Sequence, residues 1–149
     1  MNPKNIYIIA STFYKELTDQ LLQGVNSEAI NPRNKLHDDT ILTIIKVPGA
    51  FEIPGMVNQI LSNKNPDLII TLGVLIKGET NHFEYISNSV AHSISKLTIS
   101  SNVPIIFGVI TALNYEQASE RALVSKKNKG SELMKTGLKM LKLYDQYKE

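Results

Sequence analysis

Four short runs of aliphatic and β-branched residues divide this chain: Ile6–Ala10, Ile41–Val47, Leu68–Val74 and Val103–Thr111. They are near-continuously apolar rather than alternating, the pattern of strands covered on both faces of a parallel sheet. Between them, apolar residues recur at helical period. Leu17, Leu21, Leu22 and Val25 mark a first helix, and Ile53, Met56, Val57 and Ile60 a second. Tyr85, Ile86, Ser89, Val90, Ser93, Ile94 and Leu97 mark a long third helix running from His82 to about Ser101. A short helix is expected over Tyr115–Leu123 and a last one from about Lys129 to Tyr147, with Leu133, Met134, Leu138, Leu141 and Tyr144 on its apolar side. Asn128-Lys129-Gly130 reads as the break and restart between them. Strands alternating with helices through right-handed crossovers give an α/β three-layer sandwich around a four-stranded parallel sheet, with two C-terminal helices, as one domain over residues 1–149.

Composition removes several chemistries. The chain contains no cysteine, so disulfides, zinc–thiolate sites, iron–sulfur clusters and thiol nucleophiles are excluded. Sixteen basic and fourteen acidic residues leave a net charge of +2, too balanced for an electrostatic nucleic-acid binder. Apolar runs all fall well short of the roughly 18 residues that a membrane span requires. Met1–Asn5 lacks the tripartite form of a signal peptide, and a soluble, cytoplasmic protein is expected. Only two of the sixteen basic residues are arginine, Arg33 and Arg121. Arginine is favoured where a phosphate or carboxylate is gripped through two parallel hydrogen bonds, so each deserves a question.

In sheets of this kind, ligands bind outside the carboxyl ends of the strands. The loops there are Ser11–Tyr14, Pro48–Ile53, Leu75–His82 and Ala112–Tyr115, and they hold Phe13 and Phe51, two of the four phenylalanines. A core would normally claim them, and their placement favours a site for a flat, polar heterocycle. Val47-Pro48-Gly49-Ala50-Phe51-Glu52-Ile53-Pro54 has two readings. It is a strand-to-helix turn with Glu52 at the positive end of the next helix, or a pocket wall in which Phe51 and Glu52 meet a hydroxylated ligand. In Lys77-Gly78-Glu79-Thr80-Asn81-His82, Gly78 permits a tight turn, and free N–H groups at the helix start suit an anion. Thr80 or Asn81 is equally an ordinary N-cap. His82 in the first turn is a candidate proton acceptor, although one histidine near a helix start is commonly only a surface residue. His37 and His92 receive no role. Arg121 is either a surface partner of Glu116 or Glu120, or a phosphate clamp beside Lys126, Lys127 and Lys129.

Taken together, these segments closely resemble the lumazine synthase family. The resemblance is carried by Val-Pro-Gly-Ala-Phe-Glu-Ile-Pro at 47–54, Thr-Leu-Gly-Val-Leu-Ile-Lys-Gly-Glu-Thr-Asn-His-Phe-Glu-Tyr at 71–85 and Val-Pro-Ile-Ile-Phe-Gly-Val-Ile-Thr at 103–111. Glu-Gln-Ala-Ser-Glu-Arg-Ala at 116–122 and Asn-Lys-Gly at 128–130 complete it, so the match runs through almost the whole chain. It implies a flavodoxin-like sheet of strand order 2-1-3-4. It also implies condensation of 5-amino-6-(D-ribitylamino)uracil with 3,4-dihydroxy-2-butanone 4-phosphate to 6,7-dimethyl-8-ribityllumazine, with loss of phosphate and water. No metal or organic cofactor is implied. Such chemistry needs two oriented substrates and proton shuttling more than an activated protein nucleophile.

Carried over position by position, the resemblance puts Phe13 on the pyrimidine ring, and Phe51, Glu52 and the backbone around Ala50 on the ribityl chain. Main-chain groups of Val74, Leu75 and Ile76 would meet the uracil. Backbone N–H groups of Glu79 and Thr80 would meet the phosphate together with Arg121, and His82 would move protons. Phe107, Arg121 and Lys129 would come from a neighbouring subunit. The implied assembly is a homopentamer, some family members forming a shell of about 60 subunits. The Arg121–Gly130 segment carries no insertion, as in shell-forming members, whereas only Met1–Asn5 precede the first strand and Pro3 lacks an N–H for extending a sheet. The chain departs from the family's usual residues at Thr12, Tyr14, Lys77 and Leu123. Two rival readings remain: an archaeal-type riboflavin synthase using two lumazines, and a catalytically silent flavin-binding or shell-forming protein.

Overall fold

The structure, a computed structural model, describes residues 1–78 and 80–148. Strands β1 (Asn5–Ser11), β2 (Ile41–Val47), β3 (Leu68–Ile76) and β4 (Ile105–Ala112) form one parallel sheet in the order β2-β1-β3-β4. Helices α1 (Lys15–Ala29), α4 (Tyr115–Ala122) and α5 (Lys129–Gln146) cover one face; α2 (Ile53–Asn63) and α3 (His82–Ser100) cover the other. Because successive strand residues point to opposite faces, Ile6, Ile8, Leu68, Ile70 and Leu72 pack with Leu17, Leu21, Leu133 and Met134, while Ile9 and Ile69 pack with Ile53, Val57, Val90 and Ile94. Feeding both cores is what makes β1 and β3 continuously apolar. The expected three-layer architecture and strand order are those observed. Among the described residues no helix is long and apolar enough to cross a membrane.

The expectation that every strand is covered on both faces fails at β2. Strand order places β2 at an edge, beside β1 alone, and only Val47 in it is buried; Ile41 is 58% exposed and Ile44 40%. At β4 the strand begins at Ile105 rather than Val103. Pro104 has no N–H to give a ladder, although its carbonyl still accepts from Ile69 N–H at 3.0 Å. Three helical assignments also change. Tyr85 and Ser89, expected on the buried face of α3, are exposed, and Tyr144 near the end of α5 is only half-buried.

Asn128-Lys129-Gly130 does more than break a helix. Asn128 takes the left-handed conformation (φ 49°) and its N–H donates to the Leu123 carbonyl at 3.1 Å, which turns the chain into α5. Gly130 then lies directly against α1, where a Cβ would collide with the backbone carbonyl of Leu21. Across the same crossing, a Cβ on Gly24 would stand 2.8 Å from Ser131 N. Below that crossing, the carboxylate of Glu28 accepts from Asn34 Nδ2 and Ser131 Oγ, both at 3.0 Å, joining α1, the turn at Pro32–Asn34 and α5. The Asn34 hydrogen bond, helped by Ser131, holds that carboxyl below its ordinary range. Gly130→Ala is therefore expected to cost about 3 kcal/mol or more, since a backbone carbonyl cannot turn aside as a side chain can. A chemical-denaturation midpoint equal to that of the parent would show that α1 and α5 separate easily.

Candidate active site

Two cavities contain the residues singled out from the sequence. The first, about 510 Å³, opens at the carboxyl ends of β1, β2 and β3. Thr12 ties the first two strand ends together: its N–H and its hydroxyl both donate to the Val47 carbonyl, at 2.9 and 3.3 Å. This brings Phe13 beside the turn after β2. Phe13 is 74% exposed and meets Tyr14 edge-on, with centroids 5.0 Å apart. Tyr14 itself leans on the core, and its carbonyl accepts from Leu17 and Thr18 N–H at the start of α1.

After β2, Ala50–Glu52 forms one 3₁₀ turn, closed by Glu52 N–H to Gly49 carbonyl at 3.2 Å, and runs into α2. Ile53 is fully buried and Pro54 sits in the first helical turn, fixing the entry. Phe51 and Glu52 are left exposed along the cavity. Glu52 takes the N-cap position without a side-chain capping bond. Its carboxylate is thus next to the positive helix end yet not committed to the backbone, so the two readings of this turn are compatible.

Strand β3 runs two residues past its expected end, and Val74, Leu75 and Ile76 line the cavity floor. Pairing explains why they matter. The ladder with β1 stops at Ala10–Leu72, whereas the ladder with β4 continues to Ile76–Ala112. One edge of Val74–Ile76 therefore has no strand beside it, and its main-chain groups face the cavity unpaired within the sheet. Lys77 N–H still holds to the Ala112 carbonyl at 2.9 Å. The chain then passes to Thr80, whose hydroxyl accepts from His82 N–H at 3.3 Å; Asn81, at the N-cap position, makes no side-chain bond. Of the two capping candidates, Thr80 supplies the oxygen. His82 is the first residue of α3, exposed, with the cavity in front of it. Lys77 Nζ lies 3.8 Å from the Glu84 carboxylate in the next turn. Glu79 lies outside the described residues.

The second cavity, about 490 Å³, lies along the other edge of the sheet and shares no lining residue with the first. Phe107 and Thr111 are the exposed positions of β4 there. Arg121, in the last turn of α4, donates from Nη1 to the Thr111 carbonyl at 2.6 Å. Among the described residues it pairs with neither Glu116 nor Glu120, so the surface-pair reading is not what the structure shows. Leu123 ends α4 in extended conformation and its carbonyl accepts from Lys126 and Asn128 N–H, which folds the connecting turn back toward Arg121. Lys127 and Lys129 line the cavity as well, Lys129 with its Nζ 3.0 Å from Glu132 Oε1.

The structure thus gathers Phe13, Ala50, Phe51, Glu52, Val74, Leu75, Ile76, Thr80 and His82 on one side, and Phe107, Arg121 and Lys129 on another. Sequence reasoning missed Glu132, whose signal was only its three-residue spacing from Lys129 on the first turn of α5. Of the three lysines named beside the clamp, Lys127 and Lys129 line the cavity and Lys126 does not. Among the described residues no group of three or more His, Asp or Glu side chains is placed to hold a metal ion. In comparison with known families, the model described as 6,7-dimethyl-8-ribityllumazine synthase matches residues 3–145.

Proposed function

The chain belongs to the 6,7-dimethyl-8-ribityllumazine synthase family, an enzyme family of riboflavin biosynthesis, and from that premise we propose that it condenses 5-amino-6-(D-ribitylamino)uracil with 3,4-dihydroxy-2-butanone 4-phosphate, releasing phosphate and water. The observation that carries this reading is the division into two unlike cavities. One is aromatic, with an open strand edge, a carboxylate and a histidine. The other is cationic with a single phenylalanine. A ring-bearing polyol suits the first and a phosphate ester the second.

In this reading Phe13 stacks on the pyrimidine, and the open edge of Val74–Ile76 pairs with the uracil amide groups. Glu52 and the main chain at Ala50 and Phe51 hold ribityl hydroxyls. Arg121 grips the phosphate, which would also meet the backbone N–H groups of Glu79 and Thr80. His82 relays the protons that imine formation, phosphate elimination and ring closure must move. Because one cavity opens at the carboxyl ends of β1 to β3 and the other lies along the β4 edge, with no lining residue in common, a complete site needs Phe107, Arg121 and Lys129 from a neighbouring copy. A repeating head-to-tail contact of that kind closes into a ring. A homopentamer is the reading, with assembly into a shell of about 60 subunits as its further step.

The reaction is tested by incubating the protein with both substrates while following lumazine fluorescence and phosphate release. Formation of lumazine with stoichiometric phosphate supports it; consumption of lumazine supplied alone, with no butanone phosphate present, would favour the riboflavin synthase reading instead. Two substitutions separate the halves. Arg121→Ala is expected to raise KM for the phosphorylated substrate at least tenfold through loss of a charge-assisted contact, with Arg121→Lys restoring only part because an ammonium lacks the planar fork. Unchanged kinetics in Arg121→Ala would remove the clamp. Phe13→Ala should weaken binding of the ribitylaminouracil by roughly 1–3 kcal/mol, the scale of base–aromatic stacking, measured calorimetrically. Equal affinity would transfer the stacking role to Tyr14.

A further inference from the structure

The cationic cavity contains one acid. Arg121, Lys127 and Lys129 face Glu132, which leaves a formal charge of +2, the complement of a phosphate monoester carrying about −1.5 to −2 near neutral pH. The cations are not held alike. Arg121 is oriented by a neutral carbonyl, Thr111 at 2.6 Å, so its charge stays uncompensated. Lys129 is held by a counter-charge, Glu132 Oε1 at 3.0 Å, one helical turn along α5. Side-chain exposures of 38% for Lys129 and 63% for Glu132 make this a solvated pair, one that parts at small cost. An anion entering the cavity therefore competes with Glu132 for the same ammonium.

We propose that Glu132 is a latch for Lys129, a positioning residue that keeps the ammonium turned aside, yields it to the incoming phosphate group and takes it back as inorganic phosphate leaves. This rests on the reading of the cavity as the phosphate half of the site. Arg121 supplies the standing grip; the exchange between Glu132 and Lys129 keeps that grip weak enough for product to depart. Glu132 touches no reacting atom, and its effect passes wholly through Lys129.

The test is calorimetric titration of inorganic phosphate into the assembled wild type, Glu132→Gln, Lys129→Ala and the double variant, with Arg121→Ala as the control for the cavity itself. Glu132→Gln is near-isosteric and exposed, so folding is not at stake. Removing its charge is expected to tighten phosphate roughly two- to fivefold, the scale of one exposed ion pair no longer competing for the Lys129 ammonium. In the Lys129→Ala background the gain should vanish, since there is no ammonium left to release. In steady-state assays Glu132→Gln should lower KM for the phosphorylated substrate by a similar factor, sharpen inhibition by inorganic phosphate and leave KM for the ribitylaminouracil unchanged. Equal tightening in both backgrounds would overturn the latch, because Glu132 would then act on the anion directly through space. So would a raised KM for the ribitylaminouracil. If phosphate binds the wild type and is loosened by Arg121→Ala while Glu132→Gln changes nothing, the latch falls and the proposed site stands. If phosphate does not bind the wild type at all, both fall.

Discussion

Replacing His82 by alanine is expected to lower kcat by roughly ten- to a thousand-fold while leaving both KM values within about twofold, the signature of lost proton transfer with positioning intact. The local geometry supports so selective an effect. What shapes the turn is the backbone N–H of His82 bonded to the Thr80 hydroxyl, not the imidazole. The ring is exposed at the first position of α3, so removing it opens no core. In the proposed reaction, condensation and ring closure move protons between heteroatoms and phosphate elimination takes one from carbon, and no other described histidine lines either cavity. Some turnover should persist, since the two proposed substrates are mutually reactive once oriented. The measurement is kcat followed by lumazine fluorescence from about pH 6 to 8. Full kcat across the range would take His82 out of the mechanism and leave the proton traffic to solvent.

Local signals carried most of the fold. Apolar runs and helical periods are written in consecutive residues, which is why the bounds of β2 coincide with its run and Leu17, Leu21, Leu22 and Val25 are all buried on α1. What depended on strand order was less accessible. Ile41 and Ile44 look like core residues in the sequence, but their exposure follows from β2 having one neighbour instead of two. Gly130 is a similar case: as a letter it signals a helix break, and only the crossing of α1 over α5 reveals that its missing side chain is a packing requirement. At the site, Phe13 and Phe51 stood out because aromatic rings in post-strand loops have no core to serve. The open edge of Val74–Ile76 is a property of where two ladders end, which no single segment encodes. Glu132 escaped notice because a Lys and a Glu three apart at a helix start is among the commonest solvated pairs; only the cavity in front of it gives the pair a meaning.

Co-assembly of two crippled variants, His82→Ala and Arg121→Ala, is expected to restore activity that neither has alone. The two residues line cavities with no residue in common, one at the carboxyl ends of β1 to β3 and the other on the β4 edge. If a working site joins the first cavity of one copy to the second cavity of its neighbour, an intact site needs His82 from an Arg121→Ala subunit and Arg121 from a His82→Ala subunit. Random co-assembly from equal amounts places that combination at about a quarter of the interfaces in a ring of identical contacts. Subunits co-expressed with two different affinity tags and purified through both should show about that fraction of wild-type turnover, assayed below saturation of the phosphorylated substrate, where the Arg121 defect is largest. Homomeric preparations mixed without exchange supply the baseline, the mean of two impaired enzymes. Were His82 and Arg121 to serve one site within one chain, every site in the hybrid would lack one of them, and activity would stay at that baseline however well the subunits mixed. A shared site also requires that dilution into monomers abolish turnover, which sedimentation velocity and activity measured on the same samples would register together. A monomer as active as the assembled ring would mean that the aromatic cavity works without its cationic counterpart.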